Sequence, residues 1–170
     1  MAAHGAQKAL GWFDGPGPEK AAGMMHGLGF RPGKTYAAFA SWNEIGSGLA
    51  IALGAGGPLG PSAMISNMIV AGASVHLKNG YFAQQSGIEV ATLYSAAALA
   101  FAGAGYGSMS VDALLGTDKK LGGNAFTALV IAGGVATAFV ILNSRNVSPE
   151  TPATPAFQGK NSPLSQVEPA

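Results

Sequence analysis

Four residues in this chain carry chemistry that their surroundings do not favour: Glu44, Asn67, His76 and Glu89. Each lies in or beside a long apolar run. Carboxylates, an amide and an imidazole can together exchange a proton or hold the carbonyl of a polar head group. Glu44 is the sharpest case, because an acid deep in an apolar layer costs about 3 kcal/mol unless it is paired or protonated. The four are candidates for one polar pocket. Glu44 is its proton-exchanging acid, and no other catalytic group stands out. The pocket suits a quinone or another polar head group. Its His, Asp and Glu residues do not fall at metal-ligand spacing, so no metal is expected.

Plainer roles exist for each residue. Glu89 opens a helix, where an acid is favoured by the dipole and stays wet. His76 suits an interfacial position, and Asn67 suits gluing helices together.

Helical periodicity assigns these residues to faces. In the first apolar run Glu44 shares a face with Ala37, Ala40, Ser41, Ser47 and Gly48, opposite Phe39, Trp42, Leu49 and Leu53. In the third run Glu89 shares a face with Thr92, Ala96, Ala100 and Gly103, away from Tyr94 and Phe101. Small-residue faces let helices approach, so both acids are expected to point into a bundle rather than at lipid. If the runs alternate in direction, Glu44 lies about 14 Å along its helix axis. Asn67 is then at similar depth, with His76 and Glu89 at the mouth. No basic residue falls in the first, second or fourth run. Glu44 is therefore expected to lack a close cation and to be protonated at rest.

The elements that must carry these residues read as membrane helices. Of 170 residues only 10% are charged and 48% are hydrophobic, against about a quarter charged in an ordinary soluble domain. Four runs are long and apolar enough to be spans, at about 35–54, 61–77, 87–105 and 124–142. The expected fold class is all-α: an integral membrane bundle of four transmembrane helices over residues 35–142. Ahead of it, 1–34 reads as a polar Gly/Pro-rich loop with one short amphipathic turn at Ala21–Leu28. Behind it, 143–170 reads as a disordered Pro/Ser/Thr-rich tail. Between the second and third runs, Ser74 to Phe82 reads as a water-facing hinge, with Asn79-Gly80 turning the chain and Tyr81-Phe82 at head-group level.

Other signals are weak or exclusionary. A net charge of +1 gives no reason to expect a nucleic-acid partner. The chain has no cysteine, which removes disulfide, thiol and iron–sulfur chemistry. Gly29 to Thr35 ends like a phosphate loop, but Leu28 stands where the spacing needs glycine. Asn146-Val147-Ser148 matches a glycosylation sequon only formally. Lys8, Lys20, Arg31, Lys34, Lys78, Arg145 and Lys160 fall on the side of the N-terminal loop, and only Lys119 and Lys120 opposite. That bias places the N-terminal side in the cytoplasm.

Four pieces in order resemble the DoxX family of bacterial membrane proteins. The first is His4 to Phe13 followed by Gly15-Pro16-Gly17, and the second is Leu28 to Gly33. The third is Val75 to Phe82, and the fourth runs from Gly103 to Asp112. Together they cover about 4–112. The resemblance implies a four-helix bundle in the bacterial inner (plasma) membrane, associated with membrane oxidoreductases. It supplies no catalytic residue. The family's first signature closes a transmembrane helix, and only Met1-Ala2-Ala3 precede His4, so that helix is expected to be missing. The face around Glu44 or Glu89 is then short of one neighbour.

Three functions suit these features. The first is a small subunit or accessory of a quinone-linked membrane oxidoreductase system. The second is a structural scaffold without a ligand, and the third is a small proton-coupled transporter. No cofactor is expected in the chain itself, beyond a possible quinone. The expected partners are membrane lipid, other membrane or redox subunits, or a second copy of the chain.

Overall fold

The computed structural model describes residues 1–147. The tail from 148 onward, including Ser148 of the sequon, lies outside the described residues. Everything described is helix or loop.

The N-terminal 34 residues are not the expected loop. They form α1 (Ala2–Leu10) and α2 (Gly17–Gly27). The glycines and prolines that read as loop signals instead mark helix ends. Gly11, at φ 72°, closes α1, and Pro18 sits in the first turn of α2, where its missing N–H costs nothing.

α3 (Gly33–Leu53) follows Pro32 and stops at Gly54, whose φ is 63°. α4 (Leu59–Ala71) starts after Pro58. It loosens into a π turn at Gly72–His76 and a 3₁₀ turn at Leu77–Asn79. Gly80, at φ 82°, then turns the chain as the Asn-Gly pair predicts. α5 (Glu89–Ala104) leads through a loop to α6 (Val111–Leu114), α7 (Asp118–Leu121) and α8 (Asn124–Asn143).

α4 is central and packs against α3, α5 and α8. Its Met64, Ile65 and Met68 form the main core with Ala91 and Ala98 of α5, flanked by Ile51, Ile131 and Val135. α1 and α2 cover the other side of α3. A smaller cluster of Ala21, Ala22 and Ala37 joins α2 to α3. α3 and α8 run in opposite directions. Tyr36 near the start of α3 meets Ser144 after α8, hydroxyl to hydroxyl at 2.7 Å, and Arg145 Nε donates to Leu28 O at 2.9 Å.

The outer face is apolar. Phe39, Trp42, Leu49 and Leu53 of α3 are exposed, as the periodicity expects, together with Leu93 and Phe101 of α5 and Leu129, Phe139 and Val140 of α8. α8 is long and apolar enough to cross a membrane. α4 has 13 residues as a regular α-helix and continues through its π and 3₁₀ turns to Asn79, whereas α5, at 16 residues, falls short of the roughly 20 that a span needs. α3 has the length, with 21 residues, but Lys34, Ser41, Asn43, Glu44 and Ser47 dilute its apolarity. Of the four expected spans, α8 alone among the described residues is an α-helix both long and apolar enough to cross a membrane.

Candidate functional site

α1 lies against the face of α3 that carries Glu44. Two glycines allow the approach. A Cβ on Gly5 would run into the backbone oxygen of Ser41, and one on Gly48 would sit 2.5 Å from the backbone nitrogen of Ala2. The α3 face so covered is Ala37, Ser41, Glu44 and Ser47, all buried. Glu44 is only 4% exposed.

Lys8 of α1 reaches this carboxylate, and its Nζ donates to Glu44 Oε1. The expectation that Glu44 lacks a close cation is therefore corrected, and with it the ground for a protonated resting state. The cation comes from the segment read as a loop. The neighbouring serines do not help: Ser41 Oγ donates to Ala37 O at 2.6 Å and Ser47 Oγ to Glu44 O at 3.4 Å. Glu44 Oε2 is buried without a hydrogen-bond partner. One oxygen of the acid is held and the other keeps its capacity to accept. Next to the pair is a cavity of about 170 Å³, bordered by Lys8, Glu19, Lys34, Ser41 and Trp42.

The other three expected site residues are elsewhere. Asn67 borders a crevice of about 20 Å³ among Asn43, Ser66, Phe30 and Tyr36. Asn43 there donates through Nδ2 to Ala63 O at 3.1 Å, tying α3 to α4. His76 donates through Nδ1 to Ser86 O at 2.7 Å, and Asn79 Nδ2 donates to the same carbonyl at 3.2 Å. Glu89 Oε2 accepts from Ala83 N at 2.8 Å. His76 and Glu89 thus staple the hinge. Among the described residues no hydrogen bond joins either of them, or Asn67, to Glu44, and Asn67 borders a different cavity from the one beside Lys8. The reason is topological: α1, not α5, covers the Glu44 face.

A second buried acid escaped the sequence reading. Asp112 is 5% exposed at the far end of the bundle. Its carboxylate accepts from Gly56 N at 3.0 Å, Gly57 N at 2.7 Å and Thr117 Oγ1 at 2.9 Å. Its own N–H donates to Gly54 O at 3.0 Å. Burial opposes its ionisation, but the hydrogen bonds from Gly57, Gly56 and Thr117 outweigh burial and hold its pKa below the ordinary value. Tyr106 donates to Gly57 O at 3.0 Å. Burial first, and the charge of Asp112 second, push the Tyr106 pKa up to about 12. Ser110 Oγ caps α6 by accepting from Ala113 N at 3.1 Å. A Cβ on Gly54 would sit 2.5 Å from that of Ser110, so only glycine fits there.

Lys8 and Asp112 were both visible as residues. Lys8 could have been found by asking which cation answers Glu44. Asp112 could have been found from the Gly-Gly pair at Gly56-Gly57, whose N–H groups need an acceptor.

Residues 1–77 match the DoxX family model. The match spans α1 through α4 and the π turn, so the resemblance holds over that part of the chain. It covers the first two signature pieces and the start of the third. The piece from Gly103 to Asp112 lies beyond it. No curated protein and no solved structure matches the chain.

Proposed function

We infer that this DoxX-domain protein is a multi-pass protein of the plasma membrane and a small accessory subunit of a quinone-linked oxidoreductase system. Its contribution is proton exchange at the Lys8–Glu44 pair. The observation that carries this reading is the buried, unpartnered Oε2 of Glu44. An acceptor sealed from water without a partner costs about 1–3 kcal/mol, so something should repay its retention. A quinol-type hydroxyl is a suitable donor to it. The Glu44 carboxylate takes one quinol proton and becomes the neutral acid, Lys8 offsets the negative charge left on the quinol oxygen, and the second proton and both electrons pass to a partner subunit, leaving the quinone.

The test is quinone-dependent turnover of membranes carrying Glu44→Gln at matched protein level. Turnover should be lost. Full turnover removes proton exchange from the reading. The dispersal of Asn67, His76 and Glu89 favours a second reading, a scaffold without a ligand. Under it Glu44→Gln is silent.

Orientation follows from the basic residues at the end that holds Arg31, Lys34, Lys78 and Arg145. The chain has no cysteine, so a single Gln84→Cys is a clean probe of the hinge. An impermeant reagent applied to intact cells should fail to label it. Strong labelling reverses the orientation.

A further inference from the structure

The cavity beside the ion pair holds charges of both signs, and their arrangement selects a ligand. Lys34 Nζ and Glu19 Oε1 pair across its rim at 3.2 Å, with side chains 76% and 79% exposed. An exposed pair of this kind contributes about 0–1 kcal/mol, so a ligand can part it at little cost. Lys8 sits deeper. Of its three N–H donors one goes to Glu44, and the residue also borders the cavity. Trp42 forms the wall on the outer, apolar side of α3.

Counting charge decides between ligand classes. Lys8 and Lys34 are balanced by Glu44 and Glu19. A simple anion would draw Lys34 away and leave the Glu19 carboxylate without a partner, while Lys8 keeps one donor on Glu44 in either case. A ligand that carries a phosphate and a primary ammonium does not: the phosphate accepts from Lys34 and Lys8, and the ammonium donates to Glu19. The level is right for a lipid. Trp12 and Phe13, after α1, and Tyr81 and Phe82, at the hinge, are exposed. Exposed aromatic residues of this kind mark the head-group layer.

We propose that the cavity between α1, α2 and α3 is a binding site for the zwitterionic, phosphoethanolamine-type head group of a membrane phospholipid. The head group replaces the Lys34–Glu19 contact and lies beside Lys8, which keeps its bond to Glu44. The site is independent of the redox reading, since lipid binding is read without turnover.

The experiment uses the two tryptophans. In the full chain, Trp12→Phe leaves Trp42 as the only tryptophan, excited selectively over the tyrosines. The purified protein in detergent is titrated with short-chain phosphatidylethanolamine, short-chain phosphatidylglycerol and free phosphoethanolamine. The ethanolamine lipid should shift Trp42 emission saturably, with the glycerol lipid and the free head group each at least tenfold weaker. Glu19→Gln should weaken the ethanolamine lipid about tenfold and turn the preference towards the glycerol lipid. Lys34→Gln should weaken both lipids. Both side chains are exposed, so neither substitution threatens the fold. Three results overturn the proposal: no saturable response, a glycerol lipid that binds as tightly as the ethanolamine lipid, or a preference that Glu19→Gln leaves unchanged. Free phosphoethanolamine binding as tightly as the lipid assigns the cavity to a soluble ligand and overturns the lipid source.

Discussion

Glu44 and Asp112 are buried almost equally, at 4% and 5% exposure, yet the chain treats them in opposite ways. Asp112 takes hydrogen bonds on both oxygens, from two backbone N–H groups and a hydroxyl, and all of these donors come from loops it holds together. Glu44 takes one, from a lysine on another helix, and its second oxygen has none. A carboxylate whose acceptor capacity is spent fastens structure. One whose capacity is half spent still has something to offer a ligand or a proton. Burial alone does not distinguish the two; the count of donors does.

The largest expected effect falls on the fastener. Asp112→Ala would leave Gly56 N, Gly57 N and the Thr117 hydroxyl without their acceptor. Hydrogen bonds to a charged group contribute about 1.5–3 kcal/mol each, and the opened loops would let water repay part of that. A loss of about 3 kcal/mol is expected in detergent unfolding, with Asp112→Asn intermediate because its carbonyl still accepts. A loss below about 1 kcal/mol would mean the knot is ornamental and the comparison with Glu44 fails.

The ion pair should respond more subtly. Lys8→Met strands a buried carboxylate. Breaking a buried pair costs about 3–5 kcal/mol, but the Lys8 side chain is 31% exposed, so about 2 kcal/mol is expected here. Adding Glu44→Leu to Lys8→Met removes the stranded charge and should restore most of the stability while leaving no proton-exchanging group. A purely structural pair predicts that the double variant supports the parent system as well as wild type does. A double variant no more stable than Lys8→Met would show that packing at Gly5 and Gly48, not charge, decides this interface.

Much of the fold was legible. The starts of α3 and α8, the small-residue face of Glu44 and the exposed stripe of Phe39, Trp42, Leu49 and Leu53 follow from periodicity. The turn at Asn79-Gly80 follows from its residue types. α1 was missed, and α2 was read only as a short turn at Ala21–Leu28, because short, Gly- and Pro-punctuated segments have little intrinsic helix signal; packing against α3 makes them helices. That miss propagated. Without α1 there was no Lys8, and the open side of Glu44 was assigned to Asn67, His76 and Glu89 by depth alone. Depth is a one-dimensional coordinate. It does not say which helix faces which, and here α3 presents Glu44 to α1 and Asn43 to α4. Asp112 was hidden for another reason: its partners, Gly54 to Gly57, are more than 50 residues away and carry no side chains to advertise themselves.

The smallest effect concerns pH and belongs to the knot alone. Asp112 titrates below its ordinary value in the fold. Its contribution is therefore complete above about pH 4 and lost as pH falls through the lowered folded value. Tyr106 works at the other limit. Its pKa is raised from 10.0 to about 12 because burial and the Asp112 charge disfavour the phenolate. A raised folded pKa means stability that is complete below pH 10 and drains away as pH climbs towards 12. Tyr106→Phe forfeits the hydrogen bond to Gly57 O, about 1 kcal/mol, at every neutral pH. It has no phenol to ionise, so its own stability should stay level where wild type declines. The gap in melting temperature between the two proteins should therefore close between pH 10 and 12. Tyr106 is partly open to water, so the closure should be small. A gap that stays constant over that range would mean that neither burial nor the Asp112 charge raises the Tyr106 pKa, and that Tyr106 stands outside the far-end knot.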